Sequence, residues 1–101
     1  MKTLFIVARE SMVDELEEFF QKNGVSAYTV LSNVKGKGET GRVQGTLDAP
    51  YINSIIFAVL PSDQADRVVS ALKALHAGRA KARHGEPIPL KVFSHLCEEH
   101  I

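Results

Sequence analysis

Ile52-Asn53-Ser54-Ile55-Ile56-Phe57-Ala58-Val59-Leu60-Pro61-Ser62-Asp63-Gln64-Ala65-Asp66-Arg67-Val68-Val69 is the stretch on which the fold turns. Ile52 to Leu60 is the most apolar segment of the chain, broken only by Asn53 and Ser54, and reads as a central strand. Pro61-Ser62-Asp63 then opens a helix, because proline and small polar residues suit a first turn whose N–H groups have no intrahelical partner. Ala65, Val68, Val69, Leu72 and Leu75 keep the spacing of one helical face, and Gly78 is the predicted stop. A strand feeding a helix in this way is half of a βαβ unit.

The same pattern recurs toward the amino terminus. Leu4 to Ala8 is a short apolar run stopped by Arg9-Glu10, and it predicts a buried strand. Ser11 is the predicted N-cap of a following helix, with Asp14 placed to complement the helix dipole. Met12, Val13, Leu16, Phe19 and Phe20 form its apolar face, acids fill most of the rest, and Gly24 is its stop. Val25 to Val34, rich in Val, Tyr and Thr and free of charge, predicts a second strand. Beyond the second helix, a basic segment runs from Arg79 to Pro89. Leu90 to Leu96 then predicts a last strand, with Leu90, Val92 and Leu96 on one face and Lys91, Phe93 and His95 on the other.

The order is β-α-β-β-α-β, an α+β ferredoxin-like unit occupying residues 1–101 as a single domain. Right-handed crossovers put both helices on one face of a four-stranded antiparallel sheet. Nothing remains to cover the other face, and in the second strand neither Ala27, Thr29 and Leu31 nor Tyr28 and Val30 make a polar side. A half-apolar open face is expected to be buried against further copies, so a homo-oligomer is expected.

Composition narrows the function classes. The chain has 101 residues, 45% of them hydrophobic, with 12 Lys+Arg against 12 Asp+Glu. A balanced charge argues against a bulk grip on nucleic acid or an anionic membrane. The single cysteine cannot form an internal disulfide. The run Leu4–Ala8 is far too short to span a bilayer and has no cleavage site after it, so no membrane insertion and a cytoplasmic location are expected. The zero sum is also segregated: Glu10 to Glu18 carries only acids, whereas Arg79, Lys81, Arg83 and Lys91 outnumber Glu86 between His76 and Lys91.

Gly36-Lys37-Gly38-Glu39-Thr40-Gly41 is formally a G-x-G-x-x-G. A dinucleotide site would need a helix opening at its end, and Arg42 to Pro50 is not helical in pattern. Two readings stay open: glycines that let backbone N–H groups approach an anion beside Lys35 and Lys37, or a hairpin tip whose glycines serve turn geometry. The basic segment from Arg79 has the same two readings, an anion-binding loop or a solvated connection at a helix C-terminus. RNA is disfavoured because no aromatics interleave with the cations.

Tyr28-Thr29-Val30-Leu31-Ser32-Asn33-Val34-Lys35-Gly36-Lys37-Gly38, leading from a strand into a long loop, resembles the PII signalling family. There a Thr-Val strand enters a Lys-Gly-x-Gly turn at the base of the "T-loop". Asp63-Gln64-Ala65-Asp66-Arg67-Val68 is similar to that family's second helix, and Lys91-Val92-Phe93 to the Lys-Ile-Phe of its next strand. The resemblance implies a homotrimer with its sheets facing the centre. It also implies an adenine nucleotide (AMP, ADP, ATP or a cyclic nucleotide) between subunits. The T-loop, here residues 35–50, would control a partner protein such as a membrane transporter. It carries a nucleotide-binding role to Thr29, Gly36, Lys37 and Gly38, to Gly78 and Arg79 at the start of a "B-loop" over residues 78–89, and to Lys91. The chain departs from the pattern at Glu39-Thr40, where the family has a glutamine, in its longer B-loop-like segment, and in lacking a carboxy-terminal arginine pair. These departures favour a smaller or different nucleotide, or no nucleotide, over ATP with magnesium.

His95-Leu96-Cys97-Glu98-Glu99-His100 supports an alternative, a metal-binding CutA-like trimer in metal homeostasis using His95, Cys97 and His100. No catalytic pattern is present, neither a Ser-His-Asp set nor H-E-x-x-H nor a glycine-framed carboxylate pair, so an enzyme is not expected.

Overall fold

The structure, a computed structural model, describes residues 1–35, 52–82, 84–85 and 88–101 in full. It describes residues 37–38, 41–42, 45–46 and 49–50 as backbone. Four strands, β1 (Lys2–Arg9), β2 (Thr29–Val34), β3 (Asn53–Leu60) and β4 (Leu90–Leu96), form one antiparallel sheet in the order β2-β3-β1-β4. Helices α1 (Val13–Lys22) and α2 (Ser62–Ala82) complete the β-α-β-β-α-β order. Between β2 and β3, Lys37–Gly38 pairs with Gly41–Arg42 and Gly45–Thr46 with Ala49–Pro50.

The core lies between the sheet and both helices. Leu4, Ile6 and Ala8 of β1, Ile56, Ala58 and Leu60 of β3 and Leu90 of β4 are buried against Leu16 and Phe20 of α1 and Ala65, Val68 and Leu72 of α2. Alternation places each strand set on one face, and the 3.6 period does the same for the helices. Each such large apolar side chain contributes about 1.5–3 kcal/mol when taken fully out of water. Ser54, on the same face, is completely buried, and its hydroxyl has no hydrogen-bond partner among the described residues.

The structure differs from the sequence expectations at three element ends. Ser11 is not an N-cap: Glu10–Met12 is a single 3-10 turn, Met12 occupies the position before α1, and no side chain caps it. The turn is anchored through Glu10 N–H to the Ile52 carbonyl, 2.8 Å, which satisfies a free donor by tertiary pairing instead. The second strand starts at Thr29, not Val25. Val25 is instead tucked into the core, its N–H bonded to the Phe20 carbonyl at 2.9 Å, so the chain reaches the sheet edge only later.

The third difference is at Gly78, which does not end α2. The helix continues through Arg79 to Ala82, because the alanine-rich run on both sides favours helix strongly enough to absorb one glycine. Its terminator is His84-Gly85: His84 has φ +57° and donates to the Lys81 carbonyl at 3.1 Å, and Gly85 donates to Ala80 at 2.7 Å. Gly24, with φ +77°, ends α1 by the same Schellman pattern, donating to Gln21 while Val25 donates to Phe20. One pattern thus closes both helices, with glycine in the left-handed position of the first and histidine in that of the second.

Candidate functional site

The uncovered face of the sheet carries the first candidate surface. Strand register sets its residues in rows: Thr29, Phe57, Phe5 and Phe93 form one, and Leu31, Ile55, Val7 and Lys91 the next. Val59, Thr3 and His95 form a third. Phe93 is 56% exposed, and Leu31 and Val59 are each 47% exposed. Large apolar side chains in three adjoining rows are more than the scattered exposed residues of an ordinary surface, and form an apolar face that no described element of the same chain covers.

Of the predicted ligand residues, Thr29 and Lys91 fall on the two outer strands of the sheet. Thr29 opens β2, exposed, and the backbone of Lys37–Gly38 follows within the connection to β3. Gly36 and the side chains of residues 36–51 lie outside the described residues. Gly78 and Arg79 sit near the end of α2, and Lys91 follows Leu90 on β4, exposed on the open-face side. Because β2 and β4 are the outer strands, Thr29 and Lys91 are separated by about 14 Å of sheet at ~4.8 Å per strand. One subunit does not gather them around one small molecule.

Between Leu31 and Val34 the pairing of β2 with β3 shifts register, and Asn33 there adopts φ +59°. Asparagine tolerates this left-handed geometry better than most residues, and the bulge turns the strand where it enters the glycine-rich segment.

Polar contacts join the helices to each other and to the sheet. Arg79 forms a salt bridge with Glu15, linking the basic end of α2 to the acidic helix α1. Lys2 bonds Asp66 at 2.6 Å. Tyr28 donates its hydroxyl to Glu17 at 2.6 Å. That bond, together with desolvation and the nearby carboxylate charge, raises the Tyr28 pKa above its ordinary value. The segregated charges of the sequence are therefore partly neutralised between α1 and α2.

Sequence reasoning missed the Tyr28–Glu17 bond and a half-open groove of about 220 Å³ between α2 and β4, lined by Val69, Leu72, Lys73, His76, Leu90 and Val92. Neither has a local signal, since each joins residues distant in the chain. His95 lies on the open face, Cys97 continues the strand with its N–H bonded to the Met1 carbonyl, and His100 approaches Glu98 at 3.6 Å. Among the described residues no three His, Cys, Asp or Glu side chains converge on a metal position. Nor, among the described residues, is any helix long and apolar enough to cross a membrane.

Comparison with known proteins places this arrangement. The chain is similar to CPII, a nitrogen regulatory PII-like protein from Thiomonas intermedia K12, in a structure bound to ADP, AMP and bicarbonate. That match has a TM-score of 0.72 at 21% identity and covers 93% of this chain and 82% of the other. It is also similar to a PII-like signalling protein from Thermus thermophilus, with a TM-score of 0.63 at 18% identity, covering 93% and 83%. None of the curated proteins compared matches it. The model of the nitrogen regulatory protein P-II family matches residues 1–94, nearly the whole of the described fold. The chain therefore belongs to the P-II family.

Proposed function

We propose that the protein is a trimeric regulator that binds an adenine nucleotide at the seams between subunits and controls a partner protein, such as a membrane transporter, through residues 35–50. The observation that carries this reading is the separation of Thr29 and Lys91 on opposite sheet edges, combined with an apolar face left open between them. In a ring of copies with that face turned inward, the β2 edge of one subunit meets the β4 edge of the next. Thr29, Gly36, Lys37 and Gly38 then contribute from one side, and Gly78, Arg79 and Lys91 from the other.

The chemistry of each group suits its share. Glycine backbone lets N–H groups approach phosphate closely, and Lys37, Arg79 and Lys91 supply positive charge. Arg79 has five N–H donors, so its pairing with Glu15 leaves some for a phosphate oxygen. Ligand contacts made by residues 36–38 in one state of the segment and not another would shift its equilibrium, and partner binding with it. The ADP- and AMP-bound state of CPII supports an adenine nucleotide, and its bicarbonate makes that anion the natural co-ligand to include. The protein acts in the cytoplasm and needs no catalytic group for this role.

Calorimetric titration with AMP, ADP, ATP and cyclic AMP, with and without bicarbonate, tests the reading. Saturable binding approaching one nucleotide per subunit is expected, and Lys91→Ala should weaken it by about tenfold, the loss of one charge-assisted contact worth ~1.5 kcal/mol. No heat with any of the nucleotides overturns the effector assignment.

A further inference from the structure

Arg79, a candidate phosphate ligand, already holds an anion from its own chain. It lies in the last turn of α2 and pairs with Glu15, which lies in the first turn of α1. Each charge is favoured where it stands, since a helix N-terminus suits an acid and a C-terminus a base. Glu15 thus has the surroundings that would stabilise a bound phosphate oxygen: a guanidinium beside it and the positive end of a helix near it. Its side chain is 37% exposed and that of Arg79 is 42% exposed, so a solute can reach the pair.

The pair also stands at the end of the subunit where residues 35–50 leave β2 and rejoin β3. Arg9 at the end of β1 is opposite Asn53 at the start of β3, and Asn53 is opposite Val34 at the end of β2. Leu90, at the start of β4, is opposite Ala8. Helix α1 starts just after β1, and α2 finishes shortly before β4. The first turn of α1 and the last turn of α2 therefore meet beside the entry to that segment.

We infer that Glu15 sets the charge selectivity of the nucleotide site by competing with the ligand's phosphates for Arg79, which favours less charged nucleotides over ATP. This role rests on the nucleotide reading proposed above and adds to it a residue that opposes binding. A phosphate that takes Arg79 N–H groups must either displace the Glu15 carboxylate or lie beside it. Both costs grow with the negative charge of the ligand. At the dielectric of water, one unit charge about 6 Å from another changes an equilibrium roughly threefold. Salt weakens that effect, because charges this exposed are screened.

Glu15→Gln tests the competition, since the amide oxygen can still accept from Arg79 while the charge is gone. Wild type and variant are titrated calorimetrically with adenosine, AMP, ADP and ATP in magnesium-free buffer. The gain in affinity should rise in that order, from none with adenosine to about threefold with AMP and about tenfold with ATP. It should shrink as salt is raised, and most of it should disappear when Arg79→Ala is added. Glu18→Gln, one turn along α1, makes the same change in net charge and should gain less. Glu15→Ala should show the same graded gain as Glu15→Gln. Nucleotide binding with no gain, with equal gains for all four ligands, or with equal gains in Glu15→Gln and Glu18→Gln overturns the inference and leaves the effector assignment intact. Weaker binding in both Glu15 variants also overturns it, making Glu15 a support for Arg79 and not its competitor. No heat with any nucleotide in any of these proteins overturns the effector assignment and the inference together.

Discussion

The two faces of the sheet are built from nearly the same residue types and meet opposite fates. On the helix side, Leu4, Ile6, Ile56 and Leu90 lose essentially all contact with water under α1 and α2. On the other side, Phe5, Phe57 and Phe93 line up across three strands with no described element of the same chain over them. Hydrophobicity therefore does not decide which side becomes the core. Connectivity does, because two right-handed crossovers deliver both helices to the same side. The uncovered side retains exposed Leu31, Val59 and Phe93, so one face stabilises the subunit and the other is the surface that the proposed assembly would bury.

This division can be broken one face at a time. Ile56→Ala should have the largest effect, about 2–5 kcal/mol of subunit stability from lost transfer energy and the cavity left behind. Thermal or urea unfolding measures it, and the shortfall from wild type should persist at every protein concentration. Phe93→Glu should behave in the opposite way. The side chain is more than half exposed within a subunit, so the fold tolerates the change, but the open face then carries a charge that association would have to desolvate. Sedimentation should show dissociation with the circular dichroism spectrum retained. An unchanged assembly would show that the Phe5–Phe57–Phe93 row is not the surface that copies bury.

Much of this was legible in the sequence because local pattern and tertiary role coincide there. Ile52 to Leu60 is apolar along its length because it is an inner strand, and its register with β1 runs from Asn53 to Leu60. The Lys-Gly-x-Gly turn after Tyr28-Thr29-Val30 pointed to the P-II family, and that membership holds over residues 1–94. What was misread lies where a distant residue overrides local preference. Ser11 reads as a cap, but Ile52 supplies the partner that fixes the entry to α1. Gly78 reads as a stop, but the alanines around it carry the helix on to Ala82. The pairing of Arg79 with Glu15 and the groove beneath Lys73 depend on how α2 lies against α1 and β4, and no short window contains both sides.

Tyr28 joins α1 to the β2 edge of the sheet, and its protonation gives a smaller, pH-dependent effect. Its side chain packs at the core edge, against Phe20 at 5.3 Å between ring centroids, and its hydroxyl donates to Glu17. A raised folded-state pKa means that the neutral phenol is favoured by folding. The bond's contribution is fully present below the ordinary tyrosine pKa of about 10 and is lost as pH rises through the higher folded-state value. Melting temperature should therefore fall more steeply above pH 10 in wild type than in Tyr28→Phe. Parallel curves would remove the Glu17 bond as a source of that slope.

The smallest expected effect isolates what Gly78 is for. A methyl group added there meets nothing within 4 Å, and the residue is helical, so Gly78→Ala should stabilise the protein by up to about 1 kcal/mol through reduced backbone entropy in the unfolded chain. Nothing in the subunit requires glycine at this exposed helical site, whereas close approach of a phosphate to the backbone would. Unfolding midpoint and nucleotide affinity, measured on the same variant, separate the two cases. Higher stability with weaker nucleotide binding assigns Gly78 to the ligand seam, since the added methyl then blocks an approach that the isolated subunit leaves open. Higher stability with unchanged affinity removes Gly78 from the site and moves the anion contact on the β4 side to Arg79 and Lys91 alone.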